Sequence, residues 1–370
     1  MSVQISYKKQ TLFGLMFILL IFFIAEISIQ SYNYFYPSCK FTDSDVFANV
    51  EEEIKRKICL DNDNIKFEQN PLRNTENQKL NLLNINSHGF RGNEIDLIKP
   101  DNTYRIFVVG GSTVLGNSST SDKSTIPGQL ENLLNNSNLD MDIEVVNAGI
   151  GGAFSFTEIN LIKNKIINYS PDVLIVYDGW NDINREFSVM NEDSSDYNLQ
   201  TIILRQLIIK NDFIKSPGLF FKIYSNYKLS TNEVYNYFDD SKINEKSELW
   251  KTRLLDICEL GNKNNLNVII ALQPIVGTGE KILTPEEQIH FKKFDHENLI
   301  PNYEKYGEKL DEMNKSCTKA LDMRNAFDQQ KETIFHDAGH VGDQGNKIIA
   351  EKIYEEILPI INQNINKLNS

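Results

Sequence analysis

Four short apolar runs, each closed by a turn built on glycine or proline, constrain this chain more than any other feature. They are Tyr104 to Val109, closed by Gly110-Gly111; Glu144 to Val146, closed by Asn147-Ala148-Gly149; Asp172 to Val176, ending near Gly179; and Val268 to Leu272, closed by Pro274. Compact β-branched runs bounded by turn residues are the pattern of strands buried on both faces. Between and after them lie amphipathic stretches that predict helices over Ser124–Leu134, Phe154–Asn168, Glu248–Asn264 and Glu304–Ala320. Strands that alternate with helices pack as a parallel sheet covered by helices on both faces, so the fold class is α/β. A last helix is predicted from Asp343 to Ile357, with Asp343 as its cap and Ile348, Ile349, Ile353 and Ile357 on its apolar face.

The N-terminus has a different character. Thr11 to Ala25 is apolar, and the run continues past Glu26 through Ile27 and Ile29. A spanning helix needs about 20 residues and a signal-peptide core roughly 7–15, so the extended run fits the first and the uninterrupted run the second. No small-x-small cleavage pattern follows, and Tyr32, Tyr34, Phe35 and Tyr36 stand where an interfacial aromatic belt would sit. These details favour a retained single-pass anchor over residues 11–31, with secretion after signal cleavage as the alternative. Lys8 and Lys9 precede the run and no basic residue follows until Lys40, which places residues 1–10 in the cytoplasm and the bulk of the chain outside. Residues 32–100 read as a membrane-proximal extension, 101–360 as the α/β domain and 361–370 as a tail. The segment 184–246 breaks the alternation and is rich in aromatics, among them Phe213, Phe220, Tyr224 and Tyr235. It reads either as a cap-like insertion near the site or as a subdomain with its own core.

Charge and cysteine usage narrow the partners. A net charge of −13 with no clustered Lys or Arg opposes binding to a phosphate backbone, so nucleic acid is not an expected partner. The four cysteines would lie in an oxidising compartment under the topology above, where three pairings are open. Cys39 with Cys59 is the expected pair; Cys258 and Cys317 are either a second disulfide or two buried thiols. No Cys-x-x-Cys spacing points to structural zinc. Asn117, Asn135, Asn168 and Asn314 head Asn-x-Ser sequons open to glycosylation in a suitable host, although chance accounts for most of them in so asparagine-rich a chain.

In an open parallel sheet, ligands bind where the carboxyl ends of the strands meet loops and helix N-termini. The predicted strand ends carry Gly110-Gly111-Ser112-Thr113, then Asn147-Ala148-Gly149-Ile150-Gly151-Gly152, then Gly179-Trp180-Asn181-Asp182; Asp337-Ala338-Gly339-His340 stands just before the last helix. Each piece alone is an ordinary turn or cap. Together they supply what a serine nucleophile needs: a base, a carboxylate to orient it, and donors for the developing oxyanion.

These ordered blocks resemble those of the SGNH (GDSL-like) hydrolase superfamily over roughly residues 104 to 358. The resemblance implies a flavodoxin-like α/β/α sandwich and a carboxylic ester hydrolase, here behind the anchor read above, and no cofactor is expected. It implies Ser112 as nucleophile, His340 as base and Asp337 as the residue that holds the imidazole. It also implies an oxyanion hole of the Ser112 amide, the Gly152 amide and Asn181, with Gly149 and Gly151 as neighbouring candidates for the glycine. The family's Gly-Asp-Ser is Gly110-Gly111-Ser112 here, so the aspartate that supports the first block is missing and its hydrogen bonding must differ. The leading residues Asn86, Gly89, Phe90 and Arg91, and Gln273-Pro274 after the fourth strand, are further points of likeness to tethered or secreted members.

Rival readings differ in the residues they need. An α/β-hydrolase elbow wants Gly-x-Ser-x-Gly, and the last position here is Val114. A metal-dependent deacylase could use His336, Asp337 and His340, although Gly339 argues against a helical histidine pair. His88, His290 and His296 lack a serine or carboxylate pattern and read as surface or locally bonded. A catalytically silent glycan- or protein-binding domain and an O-acyltransferase with the same triad remain as alternatives. The expected substrates are O-acetyl or other short acyl esters on surface glycan or lipid.

Overall fold

A computed structural model of the chain describes residues 6–35, 39–69, 71–185, Phe187, Met190 and 240–368. They fall into two compact units, one holding the N-terminal helix and the other beginning at Cys39. The first unit's helix, α1 (Tyr7–Phe35), includes 26 residues, Tyr7–Tyr32, apolar and long enough to cross a membrane. One such helix near an N-terminus fits an anchor or a signal sequence.

The second unit is built on a five-stranded parallel sheet. Its strands are β1 (Thr103–Gly110), β2 (Asp142–Gly149), β3 (Val173–Asp178), β4 (Asn267–Leu272) and β5 (Lys319–Asp322), in the order β2-β1-β3-β4-β5. This is the flavodoxin-like order. Alternate residues of each strand enter opposite layers, as the period of two requires. Phe107, Val109, Leu174, Val176, Val268 and Ile270 pack with α5 (Ser155–Asn164), α7 (Ile243–Lys263) and α9 (His296–Gly307). Ile106, Val108, Ile175, Tyr177 and Ile269 pack with α4 (Ile126–Asn135) and α11 (Asp343–Leu368).

Two expectations shift. The helix predicted over Glu304–Ala320 is α9 ending at Gly307, a single turn α10 (Leu310–Met313), and then the fifth strand. That strand is four residues at the sheet edge with only Ala320 and Leu321 apolar, too weak a run to register. The last helix continues to Leu368 because Ile361 and Ile365 extend the buried stripe of Ile349, Ile353 and Ile357. Both disulfides are present, Cys39–Cys59 and Cys258–Cys317, the second tying α7 to the loop that enters β5.

Residues 39–100 belong to the same compact unit as the sheet. They contain α2 (Glu52–Asn64) and two hairpins, Phe67–Gln69 with Leu72–Asn74 and Gln78–Lys79 with Asn84–Ile85. Single bridges from Arg91 to Ile85 and to Asn147 join this segment to the edge strand β2, covering an edge that would otherwise be open. Most of the aromatic segment expected at 184–246 lies outside the described residues.

Candidate active site

Between β1 and β3 the connections leave toward opposite faces of the sheet, which opens a crevice at their carboxyl ends. β1 runs through Gly110-Gly111 into the single-turn helix α3 (Ser112–Leu115), so Ser112 stands at the lip of that crevice. β3 runs through Gly179, at φ 127°, into the short helix α6 (Trp180–Asn184), which carries Asn181 to the same edge.

His340 comes from the turn before α11. Its Nε2 lies 2.6 Å from Ser112 Oγ, and its Nδ1 lies 2.8 and 3.0 Å from the Asp337 carboxylate oxygens. Asp337 Oδ1 also accepts the main-chain N–H of Gly339 and of His340, which closes the turn around the carboxylate. Burial opposes ionisation of Asp337, but the charge and hydrogen bond of His340, then His336 and the Gly339 N–H, hold its carboxyl far below the usual range. Burial likewise works against the imidazolium of His340, and the adjacent Asp337 outweighs it, so the pKa of His340 is raised. The ionised carboxylate thus favours the protonated imidazole beside the Ser112 hydroxyl.

The residues expected to donate to an oxyanion converge beside Gly111. A Cβ at Gly111 would collide with the Asn181 side-chain amide and come within 3.3 Å of Ala153 O, so the absence of a side chain there makes room for Asn181. Asn181 Nδ2 donates to Ala153 O at 2.6 Å. Gly152, the residue before Ala153, has φ 77°, which favours glycine, and its carbonyl accepts Arg185 Nη2 at 2.6 Å. Of the neighbouring candidates, Gly149 lies against the α3 backbone and donates its N–H to Asn147 Oδ1 at 3.0 Å, and Gly151 lies against the Phe67 ring.

Further side chains brace these loops. Asp182, beside Asn181, accepts the Ser155 N–H at 2.9 Å and the Ser155 hydroxyl, fixing the start of α5 to the Asn181 loop. Buried Glu287 accepts the N–H of Ile334 and Phe335 and pairs with buried Lys281, which holds the approach to Asp337. His336 is buried between Phe41, Phe47 and His340, its ring 5.8 Å from that of His340 and inclined by 16°. Burial pushes the His336 imidazole down to about 4, so it is neutral at neutral pH.

Each ring nitrogen of His340 has a protein partner, Ser112 or Asp337, whereas the nearest approach of His336 Nδ1 to Asp337 is 3.9 Å. Among the described residues, no group of three or more His, Cys, Asp or Glu side chains is arranged to hold a metal ion. His88 meets Tyr169 Oη at 2.8 Å, and His296 is fully buried with Nδ1 on Val276 O, locally bonded but not at the surface.

No family model and no curated protein matches the chain. Among solved structures it is similar to the acetyl xylan esterase AlAXEase, at 14% identity over 68% of this chain and 99% of that one, with a TM-score of 0.39. It is also similar to a mutant of Axe2, an acetyl-xylooligosaccharide esterase from Geobacillus Stearmophilus, at 14% identity over 69% and 94% of the two chains and a TM-score of 0.41. A two-domain esterase active on acetylated mannans aligns at 12% identity over 70% of this chain and 49% of that one, with a TM-score of 0.39. Likenesses this loose leave the chemistry of the site to its own geometry.

Proposed function

We propose that this chain is a serine esterase whose nucleophile is Ser112. The observation that carries the reading is the unbroken hydrogen-bonded line from Ser112 Oγ through His340 to Asp337, set at the switch point of the sheet. His340 Nε2 takes the hydroxyl proton as Ser112 Oγ attacks an ester carbonyl, and Asp337 stabilises the imidazolium that forms. The oxyanion is received by the amides of Ser112 and Gly152 and by the Asn181 side chain, which exchanges Ala153 O for the charged oxygen. His340 then protonates the leaving alcohol, and water attacks the acyl-enzyme with the same imidazole as base.

The substrates proposed are O-acetyl or short acyl esters on surface glycan or lipid. Two features support this setting: an N-terminal helix able to cross a membrane, read here as an anchor with its N-terminus cytoplasmic, and two disulfides that suit an oxidising compartment outside. The test is hydrolysis of p-nitrophenyl acetate and of acetylated oligosaccharides by the full chain in detergent, with chelator present, alongside Ser112→Ala. Chelator-resistant activity that disappears in the variant supports the reading. Activity that survives Ser112→Ala, or that the chelator abolishes, refutes it.

A further inference from the structure

The helix that carries Ser112 cannot hold itself in place. α3 is one turn, closed by Gly116 at φ 77°. Helices so short are not stable alone in water, and their last carbonyls have no partner within the helix. Side chains from elsewhere in the chain take those carbonyls. Asn147 Nδ2 donates to Val114 O at 2.9 Å, while Arg91 Nη1 donates to Leu115 O at 2.8 Å and to Gly116 O at 2.6 Å.

Arg91 is itself fixed on every side. Its side chain is only 1% exposed, Nε donates to Asp122 Oδ1 at 2.7 Å, and Nη2 donates to Leu82 O at 3.1 Å. Its main-chain N–H donates to Asn147 O at 3.0 Å, beside the other side chain that holds α3. The turn leading to it is closed by Asn86 Oδ1, which accepts the N–H of His88 and of Phe90. One guanidinium thus ties the hairpin segment, Asp122 and the end of the nucleophile's helix into one unit.

We propose that Arg91 is a positioning residue for the nucleophile, fixing α3 from its far end so that Ser112 Oγ stays in line with His340. This rests on the role proposed for Ser112. The planar fork matters more than the charge, because a lysine ammonium has three N–H donors and cannot serve three carbonyls and a carboxylate in the same geometry. A displacement of about 1 Å in a reacting group costs on the order of 10² in rate, and loss of Arg91 is expected to act at that scale.

The experiment uses the full chain in detergent, with Arg91→Lys and Arg91→Met. For each, kcat and KM on p-nitrophenyl acetate and the rate constant for labelling Ser112 with a fluorophosphonate are measured per folded molecule. The expected result is a fall of about 10² in kcat for Arg91→Met with KM nearly unchanged, a parallel fall in labelling rate, and an intermediate Arg91→Lys. Where Arg91→Met does not fold, Asp122→Asn is read in the same way, since it removes the charged acceptor of Nε, and a parallel fall in kcat and labelling is again expected. Unchanged kcat and labelling per folded molecule, or a change confined to KM, overturns the inference while leaving Ser112 as nucleophile. Wild-type activity that ignores Ser112→Ala overturns both.

Discussion

The loop that presents Ser112 and the loop that presents His340 meet at the Ser112–His340 hydrogen bond, and the distant side chains that brace them differ in character, a cation and an amide for the first and a carboxylate for the second. On the nucleophile's side the free groups are carbonyls, and the cation of Arg91 and the amide of Asn147 donate to them. On the side of His340 the Glu287 carboxylate accepts the N–H of Ile334 and Phe335, while Phe41 and Phe47 wall in His336. Direct bonds also join the two sides: Ser118 Oγ donates to Val341 O at 2.9 Å, and the Thr120 N–H donates to Asp343 at 3.1 Å. The His340 loop is pinched by a single antiparallel bridge between Phe335 and Val341, and the rest of each loop's main chain is completed by distant side chains.

The comparison breaks most severely at the hydrogen bond where the loops meet. His340→Ala should lower kcat by on the order of 10⁶, as should Ser112→Ala, and the double variant should be no worse than either, because the residues act as a unit. Steady-state rates on all three check this; additive losses would mean that they work separately. On the nucleophile's side, Asn181→Ala should cost about 10²–10³ in kcat, measured on the same ester, since it removes one oxyanion donor. On the base's side, Phe47→Ala should cost about 3–5 kcal/mol of stability by denaturant unfolding, as a large buried side chain leaves a cavity.

The smallest expected effect is a shift in pH dependence. In the proposed mechanism His340 must be neutral to accept the proton, and Asp337 raises its pKa, so kcat/KM should fall as pH drops through a value above the ordinary imidazole range of about 6.5. Asp337→Asn removes the charge that raises it, so a pH–rate profile of this variant should show the acid limb moved to lower pH.

The sheet was legible because its inner strands are unbroken apolar runs closed by glycine or proline, and the strand-end blocks stood out for the same reason. β5 was not, since its edge position asks for little apolar surface and Lys319 and Asp322 flank two small or medium side chains. The Asp337–His340 contact was anticipated through the family resemblance of the last block, and a turn closed on Asp337 Oδ1 brings the two groups within reach. Arg91 and Glu287 act across separations of 24 and 47 residues on main-chain atoms, which no periodicity records. Glu287 left a partial trace, the Thr284-x-x-Glu287 spacing of a capping box, which the structure contains at the start of α8 (Pro285–Lys293). The missing aspartate of the first block became intelligible only with coordinates, since Asn181 occupies the room that a side chain at Gly111 would need.

The most direct test of the account is to trap the acyl-enzyme. The full chain is quenched in acid during turnover of p-nitrophenyl acetate, digested, and its peptides are mapped by mass spectrometry. The account predicts an acetyl group on Ser112 and on no other hydroxyl, absent when His340 is replaced by alanine. Turnover with Ser112 unmodified under conditions that trap other serine esterases, or an acetyl group on a different residue, would contradict it.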